Sequence, residues 1–218
     1  MADDIVHNNL FNDEMLQIEF KNIKKNNALS LNMLDKLYKI LSDEKHLNGF
    51  KCIVFKGYQE GPFSSGADLK DLSLKMNSNN LKIYHDKLNK VLSVLVSIKV
   101  PKICLIKSFC LGAGLIFALH TDIILAEEET IFAIPASKLG IKLPPNQIRS
   151  IYKKFSNKSF FLDIIISGRK FTAQEAYNSS LISQLISKNN FQESYLSYLR
   201  EILNNSNPTI KYYLSKSL

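Results

Sequence analysis

Short, unbroken apolar runs separated by amphipathic segments set the strongest limit on how this chain can fold. Cys52-Ile53-Val54-Phe55 and Ile103-Cys104-Leu105-Ile106 are continuously apolar, a pattern that suits strands buried on both faces. Met15-Leu16-Gln17-Ile18-Glu19-Phe20 alternates and reads as a strand, and Asp122-Ile123-Ile124-Leu125-Ala126 reads as another. Lys24-Lys25-Asn26-Asn27 makes a polar turn, after which Ser30 is placed to N-cap a helix carrying Met33, Leu34, Leu37, Ile40 and Leu41 on one face. Lys82 to Val96 is a second amphipathic helix, with Ile83, Leu88, Val91, Leu92 and Leu95. Strands alternating with helices imply an α/β chain with a largely parallel sheet, whose ligands bind at the carboxyl ends of strands.

Two small-residue turns sit at such ends: Ser64-Ser65-Gly66-Ala67-Asp68-Leu69-Lys70 and Cys110-Leu111-Gly112-Ala113-Gly114-Leu115. Each follows an apolar run and opens a helical segment, a junction that leaves backbone N–H groups unpaired. Brought together, two such turns hold one oxygen between two donors, the geometry that stabilises an enolate or a tetrahedral oxyanion.

Composition narrows the field. With 218 residues, 45% hydrophobic and 22% charged, the chain fits one domain with a full core. No uninterrupted apolar run reaches the ~18 residues of a membrane span, so no membrane partner is expected. The acidic start, Met1-Ala2-Asp3-Asp4-Ile5, does not read as a signal or transit peptide. Cys52, Cys104 and Cys110 lie in or beside apolar runs with no C-x-x-C, which reads as buried thiols in a reducing compartment, the cytoplasm. Four scattered histidines supply no ligand cluster, so no metal is expected. The net charge of +8 comes mostly from lysines dispersed among asparagines, a solvated surface. Without a basic block interleaved with aromatics it points away from nucleic acid, though it stays compatible with a polyphosphate-bearing small ligand.

At the turns a family resemblance becomes specific. Phe63-Ser64-Ser65-Gly66-Ala67-Asp68-Leu69-Lys70 resembles the F-S-A-G-A-D-L-K signature of the crotonase (enoyl-CoA hydratase/isomerase) superfamily. Lys99-Val100-Pro101-Lys102, Leu111-Gly112-Ala113-Gly114 and Asp122-Ile123 follow its K-x-P, L-G-G-G and C-D-I in order. Phe132 to Ile141 is similar to F-x-x-P-E-x-x-L-G-I, Ser167 to Ala176 to its G-x-x-x-x-A-x-E-A run, and Asn26-Asn27-Ala28-Leu29 to its early N-A-L turn. The likeness covers roughly residues 15–190.

The resemblance implies a crotonase-like ββα spiral over residues 1–190 that binds an acyl-CoA thioester, with a short helical C-terminal tail over 191–218. It implies a backbone oxyanion hole at Ala67 and Ala113, and CoA contacts near Ala28, Asp68, Leu69 and Lys70. Asp68 also reads as a helix N-cap. The thioester would be the substrate, with no separate cofactor, and the family implies a homotrimer or hexamer. Relatives usually run some tens of residues further, adding helices over the pocket.

Departures from the pattern bear on the reaction. Where hydratases carry their two glutamates, this chain has Ile116 and Ala136. Hydration needs groups that activate water and protonate the α-carbon, and neither side chain does either. The resemblance therefore implies an acyl-CoA enzyme of hydratase/isomerase type, in which ordinary hydration is doubtful. A decarboxylase of the same fold or a non-catalytic CoA-binding partner subunit is the alternative. Asn146 falls near the loop lining the acyl pocket in relatives, and reads equally as a turn asparagine. His120 follows Ile116 by one helical turn, where a packed histidine is the alternative role. Tyr84 and His85 lie in the region that lids the pocket in relatives, placed to donate to a substrate carboxylate. Lys70, Lys75 and Lys82 are either partners for CoA phosphates or solvated lysines.

Overall fold

The computed structural model describes residues 3–72 and 78–216. Strands β1 (Asp4–Leu10) and β2 (Met15–Lys21) form an antiparallel hairpin, and β3 (Cys52–Gly57) and β4 (Lys102–Ile106) extend it in parallel. A three-residue strand, β5 (Phe109–Leu111), follows; β6 (Ile123–Glu127) then joins β4. Strand β7 (Ile131–Ala133) pairs with β5 in parallel and with β8 (Lys170–Thr172) antiparallel, making a second, three-stranded sheet. Strand β9 (Gln184–Ile186) closes the first sheet in the order β1-β2-β3-β4-β6-β9.

Helices α1 (Leu31–Leu41), α2 (Glu44–Leu47), α3 (Leu69–Leu72) and α4 (Ser78–Ser97) lie between β2 and β4. Helix α5 (Ala113–Ala118) follows β5, and α6 (Pro145–Lys154), α7 (Lys158–Ser167) and α8 (Ala173–Asn178) flank β8. Helices α9 (Phe191–Asn204) and α10 (Asn207–Lys216) end the chain. Ser30 caps α1 as expected, its Oγ accepting from the Met33 N–H at 3.2 Å.

The apolar runs are buried on both faces because successive strand residues point to opposite sides. Ile53, Phe55, Cys104 and Ile106 enter one core with α1, α4 and α5. Their neighbours Val54, Ile103 and Leu105 enter the other, against Leu199, Ile202 and Leu203 of α9. Phe117 of α5 meets Phe20 and Phe55 edge to face, with ring centroids 5.3 and 5.0 Å apart. That contact pins α5 to the first sheet and so fixes where its N-terminus lies. At the foot of β4 the Lys102 ammonium is fully buried. It donates to Asp122 at 2.8 Å and to the carbonyls of Ile98 and Val100 at 2.9 and 3.3 Å.

Candidate functional site

Both small-residue turns are held by bridges that leave particular N–H groups over. Leu29 pairs in parallel with Ala67, donating to the Gly66 carbonyl at 2.7 Å and accepting from the Asp68 N–H at 3.0 Å. Those two groups face Leu29, so the Ala67 N–H between them faces the other way. Gly66 makes the turn at φ 105°, a conformation that glycine adopts without a Cβ penalty.

The second turn is built alike. Ser64 pairs in parallel with Cys110, and Leu111 donates to the Ser64 carbonyl at 2.9 Å. Gly112, at φ 48°, donates to the Ala133 carbonyl at 2.8 Å, and Ala113 begins α5. The left-handed conformation falls on Gly112, while Ala113 keeps a negative φ. Among the described residues, no hydrogen bond takes up the N–H of Ala67 or Ala113. A Cβ on Gly112 would stand 3.7 Å from the Gly66 Cα, so the two turns touch backbone to backbone.

Beside them opens a cavity of about 130 Å³ lined by both turns, by α4 and α6, and by the segment after β7. Its walls are mainly apolar and include Leu69, Ile116, Ile134, Ala136 and Leu143. None of the described residues lining it is a carboxylate. Its titratable side chains are Tyr84 and His85. The Tyr84 hydroxyl donates to the Leu29 carbonyl at 3.0 Å, tying α4 to the first turn. His85 is 9% exposed and neither ring nitrogen has a hydrogen-bond partner. Burial holds its pKa below the ordinary histidine value, against the opposing charge of Asp86.

The remaining expected residues are dispersed. Asp68 is buried; its Oδ1 accepts from the Lys70 N–H at 3.0 Å and its Oδ2 pairs with Lys25, so it shapes the start of α3. Ala28 is buried within its own turn, while Lys70 and Lys82 are exposed. Lys75 lies outside the described residues. His120 is satisfied in packing, with Nδ1 against the Ile116 carbonyl at 2.7 Å and Nε2 against the Ser150 hydroxyl at 3.0 Å. Asn146 lines a separate groove with His120 and Ser150, while its neighbour Gln147 borders both that groove and the cavity. Because α6 starts at Pro145, one residue of helical rotation turns Gln147, but not Asn146, onto the cavity side. Sequence reasoning missed Gln147. It lies four residues before Ile151 on the buried face of α6, and that spacing was the available signal.

The family profile described as Enoyl-CoA hydratase/isomerase matches residues 11–217. The chain belongs to the enoyl-CoA hydratase/isomerase family. It is 28% identical over 202 residues to human "Enoyl-CoA hydratase domain-containing protein 3, mitochondrial", covering 91% of this chain and 64% of that protein. To mouse "Methylglutaconyl-CoA hydratase, mitochondrial" it is 30% identical over 176 residues, covering 81% and 55%. It thus spans less than two thirds of the length of these curated relatives. The crystal structure of human enoyl Coenzyme A hydratase domain-containing protein 3 superposes with a TM-score of 0.85 at 26% identity, covering 97% of this chain and 81% of that one. A Bacillus anthracis enoyl-CoA hydratase reaches 0.88 at 20% identity over the same shares, a likeness of fold. This enoyl-CoA hydratase/isomerase family member therefore has the crotonase fold, and among its described residues no helix is long and apolar enough to cross a membrane.

Proposed function

We propose that the chain binds a coenzyme A thioester in the cavity and stabilises its enolate oxygen between the N–H groups of Ala67 and Ala113. The observation that carries this reading is the pair of unclaimed N–H donors on touching turns beside an apolar cavity. Donors fixed before the reaction need no reorganisation as charge develops on the thioester oxygen. Leu69 lies on the cavity wall beside Ala67, where it would meet the ligand. No separate cofactor is required for enolate chemistry of this kind. The names of the relatives, hydratases of CoA thioesters, support the substrate class.

Addition of water is the less supported reaction, because Ile116 and Ala136 occupy the wall where an acid–base pair would act. Decarboxylation is the second reading, since loss of CO₂ leaves the enolate that these donors would hold. A non-catalytic CoA-binding subunit is the third. The three free buried thiols support a reducing compartment, the cytoplasm in our reading. Family membership supports a trimer or hexamer, and light scattering giving a monomer mass at micromolar concentration would exclude it.

A panel of enoyl, β-carboxylated and saturated thioesters tests the reading, scored for turnover and for rise in Tm. Turnover of any member supports an enzyme. Stabilisation without turnover favours the binding subunit. If neither CoA nor any thioester raises Tm, the acyl-CoA reading fails.

A further inference from the structure

Ser64 is bonded to both turns at once. It is fully buried, and its main chain is spent on β5, the strand that leads to the second turn. Its N–H donates to the Phe109 carbonyl at 3.4 Å, and its carbonyl accepts from the Leu111 N–H at 2.9 Å. Its side chain is spent on the first turn, where Oγ accepts from the Gly66 N–H at 3.1 Å. Gly66 precedes Ala67, and Gly114, which lies flat against the serine side chain, follows Ala113. One hydroxymethyl group therefore touches the chain neighbour of each proposed donor. A buried hydroxyl costs free energy unless it is hydrogen-bonded, and a residue that only filled this space could be apolar. The hydroxyl also sorts the donors. Gly66 and Ala67 offer two successive N–H groups, and such runs form anion-binding nests. Ser64 claims the first, and no hydrogen bond among the described residues claims the second.

We infer that Ser64 is a positioning residue for the anion seat: its hydroxyl, through Gly66, aims the Ala67 N–H, and its main chain, through β5, sets the distance to the Ala113 N–H. The inference rests on the oxyanion reading above. A donor stabilises developing charge only if it already points at the oxygen that will carry it. Gly66 is the weak point of this turn, because at φ 105° no Cβ restricts its torsions. The peptide plane that carries the Ala67 N–H is held at its oxygen by the Leu29 N–H, at 2.7 Å. The plane before it is held at the Gly66 N–H by Ser64. With both planes held, both torsions of Gly66 are fixed. Loss of the hydroxyl frees one plane, so the Ala67 N–H drifts. It also releases the Gly66 N–H to compete for the ligand oxygen.

The test is infrared difference spectroscopy of the full-length chain with acetyl-, butyryl- or octanoyl-CoA, whichever raises Tm most, carrying ¹³C at the thioester carbonyl. Two aimed donors draw electron density onto the carbonyl oxygen and lower its stretching frequency, so the seat is read without turnover. The wild type is expected to lower the stretch relative to the ester free in buffer. Ser64→Ala deletes the hydroxyl, and Ser64→Cys keeps the bulk but offers only the weak acceptor of a thiol. Both should lose most of the lowering, while Kd changes by about threefold or less, the scale of one weak hydrogen bond. In the wild type, adding the ester should shift the Ala67 and Ala113 amide proton resonances further than that of Gly66, a readout that stands if either variant fails to fold. A stretch lowered as far in both variants as in the wild type overturns the inference alone. So does lowering kept in Ser64→Cys but lost in Ser64→Ala, which would make the role one of packing, and so does a Gly66 shift equal to that of Ala67. A wild type that binds none of the three esters, or binds one without lowering its stretch, overturns the proposed oxyanion seat and this inference with it.

Discussion

Gly114 packs directly on Ser64: a Cβ placed on the glycine would lie 2.5 Å from the serine Cβ and 2.8 Å from its Oγ. Ser64 carries the bridge to Cys110, and its Oγ accepts from the Gly66 N–H at 3.1 Å. One methyl group at position 114 would therefore push on both turns at once. Gly114→Ala is expected to destabilise the fold by about 1–3 kcal/mol, the range for overpacking a core. CoA-ester affinity should fall with it. A urea midpoint matching wild type would refute the close packing.

Removing a single donor is possible without removing a side chain. Ala113 is the first residue of α5, a position where proline is tolerated because its missing N–H has no helical partner. Ala113→Pro should keep the fold while lowering kcat by roughly 10²–10³ on whichever thioester is turned over. Unchanged kcat in a folded variant would remove Ala113 from the oxyanion role.

Acid should weaken the protein in two separate windows. His85 and His120 both have pKa values lowered by burial from the ordinary 6.5. Below pH ~6.5 the unfolded chain takes up protons that the folded chain refuses, so stability falls as pH falls from about 7.5 to 5.5. Asp4, Glu60 and Glu175, lowered mainly by hydrogen bonds from Lys36, Lys107 and the Thr172 backbone, add a further loss below pH ~4.5. Tm measured across this range should decline in both windows, and His85→Leu should flatten the upper one. A Tm that stays level from pH 7.5 to 5.5 would contradict the buried neutral imidazoles.

The Lys102–Asp122 pair should behave asymmetrically. Asp122→Asn leaves a fully buried ammonium facing only carbonyls and an amide, and is expected to cost about 3–5 kcal/mol. Adding Lys102→Met to that variant removes the stranded charge and should recover most of the loss. Additive destabilisation in the double mutant would show that the two residues do not depend on each other.

The thiols should be inert in the native state. Burial pushes Cys52 and Cys104 up to about 12 and Cys110 well above its ordinary value. Iodoacetamide at pH 8 is expected to label none of the three until denaturant is added. Rapid native labelling at any of them would mean that its strand opens to solvent.

How much was legible in the sequence depended on element length and on burial. Strands β2, β3, β4 and β6 could be read because each spans five to seven residues with a clear apolar pattern. Strands β5, β7, β8 and β9 escaped, because three residues are too few to show a period. Strand β1 escaped for a different reason: His7, Asn8 and Asn9 are polar, and the strand forms by hairpin pairing along an edge. Helix α4 starts at Ser78, ahead of the expected Lys82, because Asn79 and Asn80 carry no apolar periodicity. The donor turns announced themselves through Gly66 and Gly112, whose backbone demands are local. The hydrogen bond from Gln147 to Asn89 joins two helices far apart in sequence, and no local pattern encodes it.

If Ala67 and Ala113 act as proposed, they do so through main-chain groups, and the part of the site that would meet negative charge is insulated from the genetic code. Almost any codon at either position still specifies an N–H, and proline alone deletes it. Substitutions along the cavity wall can thus alter reaction and substrate while the anion seat is inherited intact. Here Ile116 and Ala136 stand on the wall, while the two turns beside them keep both N–H groups unclaimed among the described residues.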